Sequence, residues 1–202
     1  MDADLARLAD PLLADRRRRQ IMDAALACFT RRGFHQATMQ EICGEAAMSA
    51  GAIYRYFGSK AEIIAAIAEE SRLEGTSAFI RAIERSGFIE GMCLIAESFF
   101  QQCSPNDGAL IADVIAESLR DDLLAATLRT SAARTNALLA GELRAAQKTG
   151  EVDSSLDPEI AAGTLLAAME GLALRRAFMH ADPQAAVAQF RALAERFLKP
   201  SP

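Results

Sequence analysis

The chain has 202 residues, 51% of them hydrophobic, with no Trp and a formal net charge of −5 at pH 7. This length suffices for a small domain followed by a larger one, or for one elongated helical body. Ala and Leu dominate and β-branched runs are few, which favours an all-α fold. The negative net charge argues against a protein that binds polyanions with its whole surface.

Charge is unevenly distributed along the chain. Residues 16–60 contain eight Lys and Arg against three Asp and Glu, a balance of +5, so the remaining residues carry −10. A basic segment joined to an acidic remainder fits phosphate contact at one place, with little non-specific binding elsewhere.

The N-terminal segment, residues 1–15, is weakly patterned and is expected to be a flexible arm. The arginine run at residues 16–19 has two open interpretations: a solvent-exposed helix start, or an arm that touches phosphates or enters the minor groove. Apolar residues then recur at helical spacing up to Phe29, and Gly33 is a natural residue to follow the end of that helix.

Residues 38–46 predict a short helix. Thr38 and Glu41 form a capping-box pattern, in which the hydroxyl and the carboxylate each accept a hydrogen bond from a backbone N–H. The apolar residues of this helix fall on one side, at Met39, Ile42, Cys43 and Ala46.

A tight turn at residues 47–48 separates this helix from a second one. Ser49 is the expected N-cap of the second helix, which should run to Phe57. Ser59 and Glu62 repeat the capping box and open a longer helix. Helices this short are not stable alone, so they need helical neighbours on both sides.

The second short helix has an outer surface that suits DNA. Small residues at its start let the backbone approach a surface closely, and the Tyr and Lys side chains that follow suit phosphate oxygens. This is the profile of a recognition helix in a DNA major groove. The outward residues are Ser49, Ala50, Gly51, Ala52, Tyr54, Arg55 and Tyr56, with Lys60 beyond them.

This segment resembles the DNA-binding domain of TetR-type (tetracycline-repressor-like) transcriptional regulators, over about residues 16–70. Two departures are Ala47, where the family usually has Gly, and Gly44 inside the first short helix, which costs roughly 1 kcal/mol relative to Ala. The resemblance rests on the spacing of Gly33, Phe34, Thr38, Ile42, Ala46, Ser49, Gly51, Tyr54, Tyr56, Phe57, Lys60 and Glu62.

The resemblance implies roles for individual residues. Phosphates are expected at Thr38, Tyr54, Tyr56 and Lys60. Bases are expected near Gln40, Ala50, Gly51 and Ala52, while Ser49 and Arg55 complete the interface. Such small residues would read bases through backbone proximity and thymine methyl groups.

Gly75 and Thr76 predict a break in the fourth helix, and we place a domain boundary there. The expected architecture is an N-terminal three-helix helix-turn-helix head, residues 16–74, and a larger helical-bundle domain for ligand binding and dimerisation, residues 75–202. Within the latter, residues 88–103 and 122–148 predict helices and residues 104–108 predict a turn.

The last two helices are expected to open at Asp157–Pro158 and Asp182–Pro183, since Asp suits an N-cap and Pro the first helical position. In the helix that opens at Asp157, small residues recur every four positions and would let another helix come close. We favour a two-fold dimer, matched to a palindromic operator, over a monomeric bundle. The expected interface residues are Gly163, Ala167, Gly171, Phe178, Phe190 and Phe197.

The second domain contains many Phe and Met residues, which form either a plain core or a pocket for a small, partly apolar effector. The apolar pocket candidates are Phe88, Met92, Ile95, Phe99, Cys103 and Met169. The polar candidates to orient a ligand are Gln102, Glu117 and Asn136.

Enzyme, cofactor and metal-site signatures are missing from the sequence: there is no G-x-S-x-G, H-E-x-x-H, P-loop or G-x-G-x-x-G. The four Cys residues lack zinc-ligand spacing and are expected as small core residues in a reducing cytoplasm; a redox-sensing Cys93–Cys103 pair is the alternative. No secretory signal or membrane-spanning segment is found, so a cytoplasmic protein is expected.

These patterns predict a one-component DNA-binding regulator. The resemblance implies a repressor that binds a palindromic DNA operator as a homodimer and is released by a small molecule. Two alternatives stay open. One is a helix-turn-helix DNA-binding protein without a small-molecule response. The other is a helical carrier of lipophilic ligands.

Overall fold

The computed structural model describes the backbone of residues 2–200 and the side chains of residues 12–200. Over this range the chain forms nine α-helices and no strand, which confirms the predicted all-α fold class. The helices are α1 (Asp2–Arg32), α2 (Met39–Glu45), α3 (Ala50–Tyr54), α4 (Lys60–Ser86), α5 (Phe88–Gln102), α6 (Pro105–Ser118), α7 (Asp122–Lys148), α8 (Pro158–Met179) and α9 (Pro183–Leu198).

The chain divides into two compact units, residues 1–68 and 69–202, so the division falls inside α4. The break predicted at Gly75 and Thr76 is wrong, since α4 continues to Ser86. A glycine inside a helix costs about 1 kcal/mol but does not end it when its neighbours keep helical geometry. The helix ends instead before Gly87, whose φ of +81° is left-handed.

Helix α1 begins at Asp2, so the backbone of the predicted arm is helical from that residue onward. Its flexibility stays a prediction, and Met1 lies outside the described residues. The arginine run at residues 16–19 therefore lies well inside α1 and does not start a helix.

The first unit has its own small core. Helices α2 and α3 each bury an isoleucine completely, Ile42 and Ile53; α2 packs against α1, and α3 packs against α2. This burial supplies the stability that such short helices lack alone. The other large core residues of the unit are Ile21, Phe29, Phe34, Phe57 and Ile63.

The second unit is built around α5 and α8. Helix α5 packs against α9, and α8 packs against both α6 and α7. The rings of Phe100 and Phe190 lie 6.4 Å apart between α5 and α9. The core also contains Phe88, Met92, Cys93, Leu139, Leu143, Leu165 and Leu198.

Helix α5 is capped by a residue distant in sequence. Its N-cap, Gly87, has no side chain to accept a hydrogen bond. The carboxylate of Glu151 instead accepts from the backbone N–H groups of Phe88, at 3.0 Å, and Ile89, at 2.9 Å. A Cβ at Gly87 would lie 2.9 Å from that carboxylate and would displace it from its capping position, while the positive φ itself favours glycine.

The turn predicted at residues 104–108 is mostly the first turn of α6. Ser104 is the N-cap, and its hydroxyl accepts from the N–H of Asp107 at 3.3 Å. The Asp107 carboxylate accepts from the Ser104 N–H at 2.8 Å. This capping box, with Pro105 at the first helical position, starts a helix where the Pro-Asn-Asp-Gly composition suggested a loop.

A forked ion pair joins α5 to α9. Arg191 donates from its two terminal nitrogens to the two oxygens of Glu90, at 2.5 and 3.0 Å. These hydrogen bonds lower the pKa of Glu90 below its ordinary value, although partial burial opposes the shift.

Cysteines 28, 93 and 103 are buried and Cys43 is half-buried; all four are free. Burial raises the pKa of the three buried thiols, which favours the protonated and less reactive form. The expectation that cysteines serve as small core residues is confirmed for these three.

Within residues 2–200, none of the helices combines the length and the hydropathy needed to cross a bilayer. Among the side chains of residues 12–200, His, Cys, Asp and Glu do not form a group of three or more that could hold a metal ion.

Glu90→Gln should lower the free energy of unfolding near neutral pH, with a deficit that shrinks on acidification. The pKa of Glu90 is lower in the folded chain than its ordinary value near 4.5. Its stabilising contribution is therefore complete above that pH and is lost as the pH falls through the folded pKa. Urea unfolding of both proteins across the acid range measures the difference. Glu84→Gln, an exposed change of equal charge, is the control; a deficit that stays constant with pH would contradict the expectation.

Candidate nucleic-acid interface

The start of α2 is fixed by the capping box that the sequence predicts. The Thr38 hydroxyl accepts from the Glu41 N–H at 3.2 Å, and the Glu41 carboxylate accepts from the Thr38 N–H at 3.0 Å. The hydrogen bond from this backbone N–H lowers the pKa of Glu41, so the carboxylate stays ionised.

The turn between α2 and α3 passes through a left-handed residue. Ala47 has φ of +50°, a conformation that costs a residue with a Cβ about 1–2 kcal/mol. The backbone N–H of Met48 donates to the carbonyl of Cys43 at 3.0 Å, which closes the turn. The turn predicted at residues 47–48 is confirmed, and it forms with Ala where glycine would be the easier residue.

A side chain of α1 holds this turn. The amide nitrogen of Gln20 donates to the carbonyl oxygen of Ala46 at 2.7 Å. Arg17 donates to the amide oxygen of Gln20 at 2.8 Å, which fixes the orientation of the amide. Sequence reasoning missed Gln20, because its partner lies 26 positions away and a Gln on a helix shows no signal of its own.

Helix α3 is shorter than predicted. Ser49 is its N-cap, with the hydroxyl accepting from the Ala52 N–H at 3.3 Å, but the helix ends at Tyr54 before the expected residue 57. The far end is held by Arg18, which donates to the carbonyl of Tyr56 at 3.3 Å. The same guanidinium lies 4.4 Å from the centre of the Phe57 ring, within the range of a cation–π contact.

The outward surface of α2 and α3 is arranged much as the sequence predicts, since the inward residues are buried and most of the predicted contacts are exposed. A Cβ added to Gly51 would meet nothing within 4 Å. Packing inside the chain therefore does not require glycine at this position. The exposed members are Thr38, Gln40, Ser49, Ala50, Gly51, Tyr54 and Arg55, and the half-buried ones are Ala52, Tyr56 and Lys60.

Lys60 is turned toward the protein. Its ammonium donates to the backbone carbonyls of Phe34 and His35, each at 2.8 Å, and of Ala37 at 3.2 Å. It also lies 4.9 Å from the centre of the Phe34 ring. An ammonium has three N–H donors, so all of them are occupied by the loop that leads into α2. This geometry favours a structural role for Lys60, in which it holds that loop and does not contact a phosphate.

Five of the predicted effector residues lie in or against the core of the second unit, and their role in ligand binding stays a prediction. Phe88, Met92 and Cys103 are buried in the core. Exposed Gln102 donates along its own helix to the Ser98 hydroxyl at 2.9 Å. The half-buried members are Ile95, Phe99, Glu117, Asn136 and Met169; Ile95, Phe99 and Met169 pack against the core, while the amide oxygen of Asn136 is buried with no hydrogen bond.

The predicted dimer residues separate into two groups. Ala167, Gly171 and Phe178 lie on one exposed side of α8, where Phe178 is 68% exposed and a Cβ at Gly171 would meet nothing within 4 Å. Phe190 lies elsewhere, because it is fully buried in the core; its place in a dimer interface stays a prediction. The remaining two, Gly163 and Phe197, are half-buried, with Gly163 facing Asn136 and Phe197 packed against the core.

Two capped short helices, a tight turn and an exposed outer surface form a helix-turn-helix. Comparison with known proteins shows that the chain is a DNA-binding transcriptional regulator. A profile of bacterial regulatory proteins of the tetR family matches residues 21–67, and a profile of the C-terminal domain of BetI-type transcriptional repressors matches residues 92–199. The chain belongs to the tetR family of bacterial transcriptional regulators.

Relatives of known name agree with this assignment. The HTH-type transcriptional regulator UidR of Escherichia coli K12 is 30% identical over 154 residues, which cover 74% of this chain and 76% of UidR. The structure of Salmonella enterica GusR has a TM-score of 0.78 and 27% identity, over 90% of this chain and 95% of that one. Bacillus subtilis FadR, solved in complex with stearoyl-CoA, shares the fold with a TM-score of 0.73 and 21% identity, over 87% and 96% of the two chains.

Lys60→Met should lower the free energy of unfolding by about 1–3 kcal/mol, because three carbonyls lose a charged donor. It should leave the salt dependence of DNA binding unchanged. Arg55→Met, which removes an exposed cation, should instead lower the slope of log K against log salt by about one. Urea unfolding and fluorescence anisotropy with labelled DNA over a salt series measure the two effects. A reduced slope for Lys60→Met would return Lys60 to the phosphate contacts.

Proposed function

We propose that this protein is a ligand-responsive repressor that binds a palindromic operator as a homodimer and is released by a small, partly apolar molecule. The observation that carries the proposal is the exposed, small-residue start of α3, with Gly51 open to solvent and Tyr54 53% exposed beside it. A surface of this kind suits the major groove, because the backbone can come close to the bases.

The proposed contacts follow the exposed surface. Ala50, Gly51 and Gln40 approach bases, and Ala52, which is half-buried, lies beside them. The Tyr54 hydroxyl is the proposed phosphate contact of α3. Thr38 places the start of α2 at the phosphates, while its own hydroxyl donates to the Glu41 carboxylate at 3.1 Å. The remaining members of the interface are Ser49, Arg55 and Tyr56.

Two-fold assembly is supported by the outer side of α8. Ile160 and Phe178 are 69% and 68% exposed there, at the two ends of a stripe that includes Ala167 and Gly171. Exposed apolar residues in a contiguous stripe mark protein–protein contact, and the small residues let a second helix come close. A dimer with two recognition helices about 34–36 Å apart would match half-sites one DNA turn apart.

The proposed effector response is supported by the likeness to family members and by the composition of the second unit. FadR binds stearoyl-CoA, a molecule with a long apolar part, and the second unit here is rich in Phe and Met. Binding would lower the population of the operator-competent state by as much as the effector's affinity differs between states. The burial of Phe88 and Met92 in the core favours the alternative of a DNA-binding protein without an effector response.

The deciding experiment is a binding titration against DNA from the region upstream of the protein's own gene, with random DNA of equal length, over a salt series. Specific and salt-sensitive binding to one palindrome is expected. Binding equal to that on random DNA, both before and after the protein is unfolded and refolded to strip bound ligand, would count against this region as its operator. Weak binding to every DNA at low salt would favour the carrier alternative.

Gly51→Ala should weaken operator binding by about 1–3 kcal/mol while raising the protein's stability by up to about 1 kcal/mol. The added methyl group meets nothing inside the chain but would stand between the backbone and the bases. Gly44→Ala is the matched control, since its Cβ position is equally open and lies on α2. It should stabilise the protein without loss of DNA affinity. Equal operator affinity for Gly51→Ala and the parent would refute close approach at α3.

Gly171→Leu should convert the dimer to monomer, because a leucine on the exposed side of α8 prevents close helix approach. Analytical ultracentrifugation measures the change. Leu119→Ser, which alters an apolar residue that is 84% exposed at the end of α6, is the control and should leave the dimer intact. An unchanged dimer for Gly171→Leu would remove the close-packing argument.

A further inference from the structure

The second unit contains a buried cation. Among residues 12–200, Arg176 of α8 is the charged residue whose side chain is buried, at 7% exposed. Its guanidinium therefore places a positive charge inside the second unit.

Its partners compensate the charge only in part. One terminal nitrogen of Arg176 donates to the carbonyl oxygen of Cys103, the C-cap residue of α5. The Nε group is buried and has no hydrogen-bond partner. Among residues 12–200, no carboxylate forms an ion pair with this guanidinium.

Two nearby sources of negative charge are limited. The C-terminal end of α5 supplies a partial charge of about half a unit through its free carbonyls. The Asp107 carboxylate, which is near enough to influence the Cys103 thiol, is engaged by the Ser104 N–H in the capping box of α6. A buried charge without a full counter-charge is unfavourable, so the arrangement favours an additional anion.

Small apolar residues flank Arg176 along α8, where α6 packs against this helix. A Cβ at Gly108 of α6 would lie 2.5 Å from the Cβ of Ala177, the residue after Arg176. Ala173, one turn before Arg176, is buried in the same core as Phe100. An anion that reaches the guanidinium must therefore belong to a molecule that is otherwise compatible with apolar side chains.

We propose that Arg176 is the anion-recognising group of the effector site, and that it binds the carboxylate of a small, partly apolar molecule. The inference rests on the proposed function and adds a chemical class to its effector. A carboxylate is matched to a guanidinium, because it accepts two parallel hydrogen bonds, one of them from the Nε that now lacks a partner.

The proposal also gives the effector a place to act. The hydrogen bond from Arg176 ties α8 to the junction where α5 ends and α6 begins. A carboxylate that accepts from the free Nε side draws the guanidinium toward itself, and this alters the hydrogen bond that another of its nitrogens donates to the Cys103 carbonyl. Effector binding and the position of this junction are therefore coupled within the second unit.

The test compares two probes of the same shape, octanoate and octanamide, by isothermal titration calorimetry with the full-length protein. The parent should bind octanoate at least about tenfold more tightly than octanamide, since only the former carries a charge for Arg176. Arg176→Met should bind the two probes alike. Arg175→Met, which removes the exposed cation next to it on α8, should keep the parent's preference.

Arg176→Lys keeps the charge without the paired donors and should show an intermediate preference; it decides the matter if Arg176→Met does not fold. Equal binding of the two probes by the parent, or an undiminished preference in Arg176→Met or Arg176→Lys, would overturn the proposal. These titrations need no DNA, so failure of operator binding would refute the proposed function and leave the assignment of Arg176 to be judged separately.

Discussion

The hydrogen bond from the Gln20 amide to the Ala46 carbonyl is the constraint on which the DNA-binding surface depends. It lies where α2 ends and the chain reverses through Ala47 in a left-handed conformation that is unfavourable for a residue with a side chain. The direction of α3 follows from that reversal. A family position usually occupied by glycine can therefore be alanine here, because a side chain from α1 stabilises the turn from outside.

The sequence predicted features whose cause is local and missed those whose cause is distant. Thr38 and Ser49 were identified as caps because their partners lie three residues away. The Ser104–Asp107 box carries the same signal but was obscured by turn-forming residues around it. The internal orientation of Lys60 and the burial of Arg176 could not be predicted, since their carbonyl partners come from other parts of the chain.

Counting charges in the sequence overstates what the first unit can offer to phosphates. Two of its cations, Arg18 and Lys60, donate to backbone carbonyls and lie over aromatic rings. They stabilise the elements that carry the interface, while neutral hydroxyl and amide groups occupy much of the exposed surface. Part of the positive charge of this segment therefore stabilises the fold. DNA affinity should depend on fewer ionic contacts than the net charge of +5 suggests.

The long-range contacts of the second unit have a consequence for the order of folding during synthesis. Its core needs the last helix, because Phe190 and Leu198 are fully buried and Arg191 pairs with Glu90, 101 positions earlier. The first unit is closed by contacts that are 26 to 38 positions apart. A nascent chain can therefore complete its DNA-binding unit before α9 is synthesised and packs on the apolar side of α5. At that stage the chain is most exposed to chaperones and proteases.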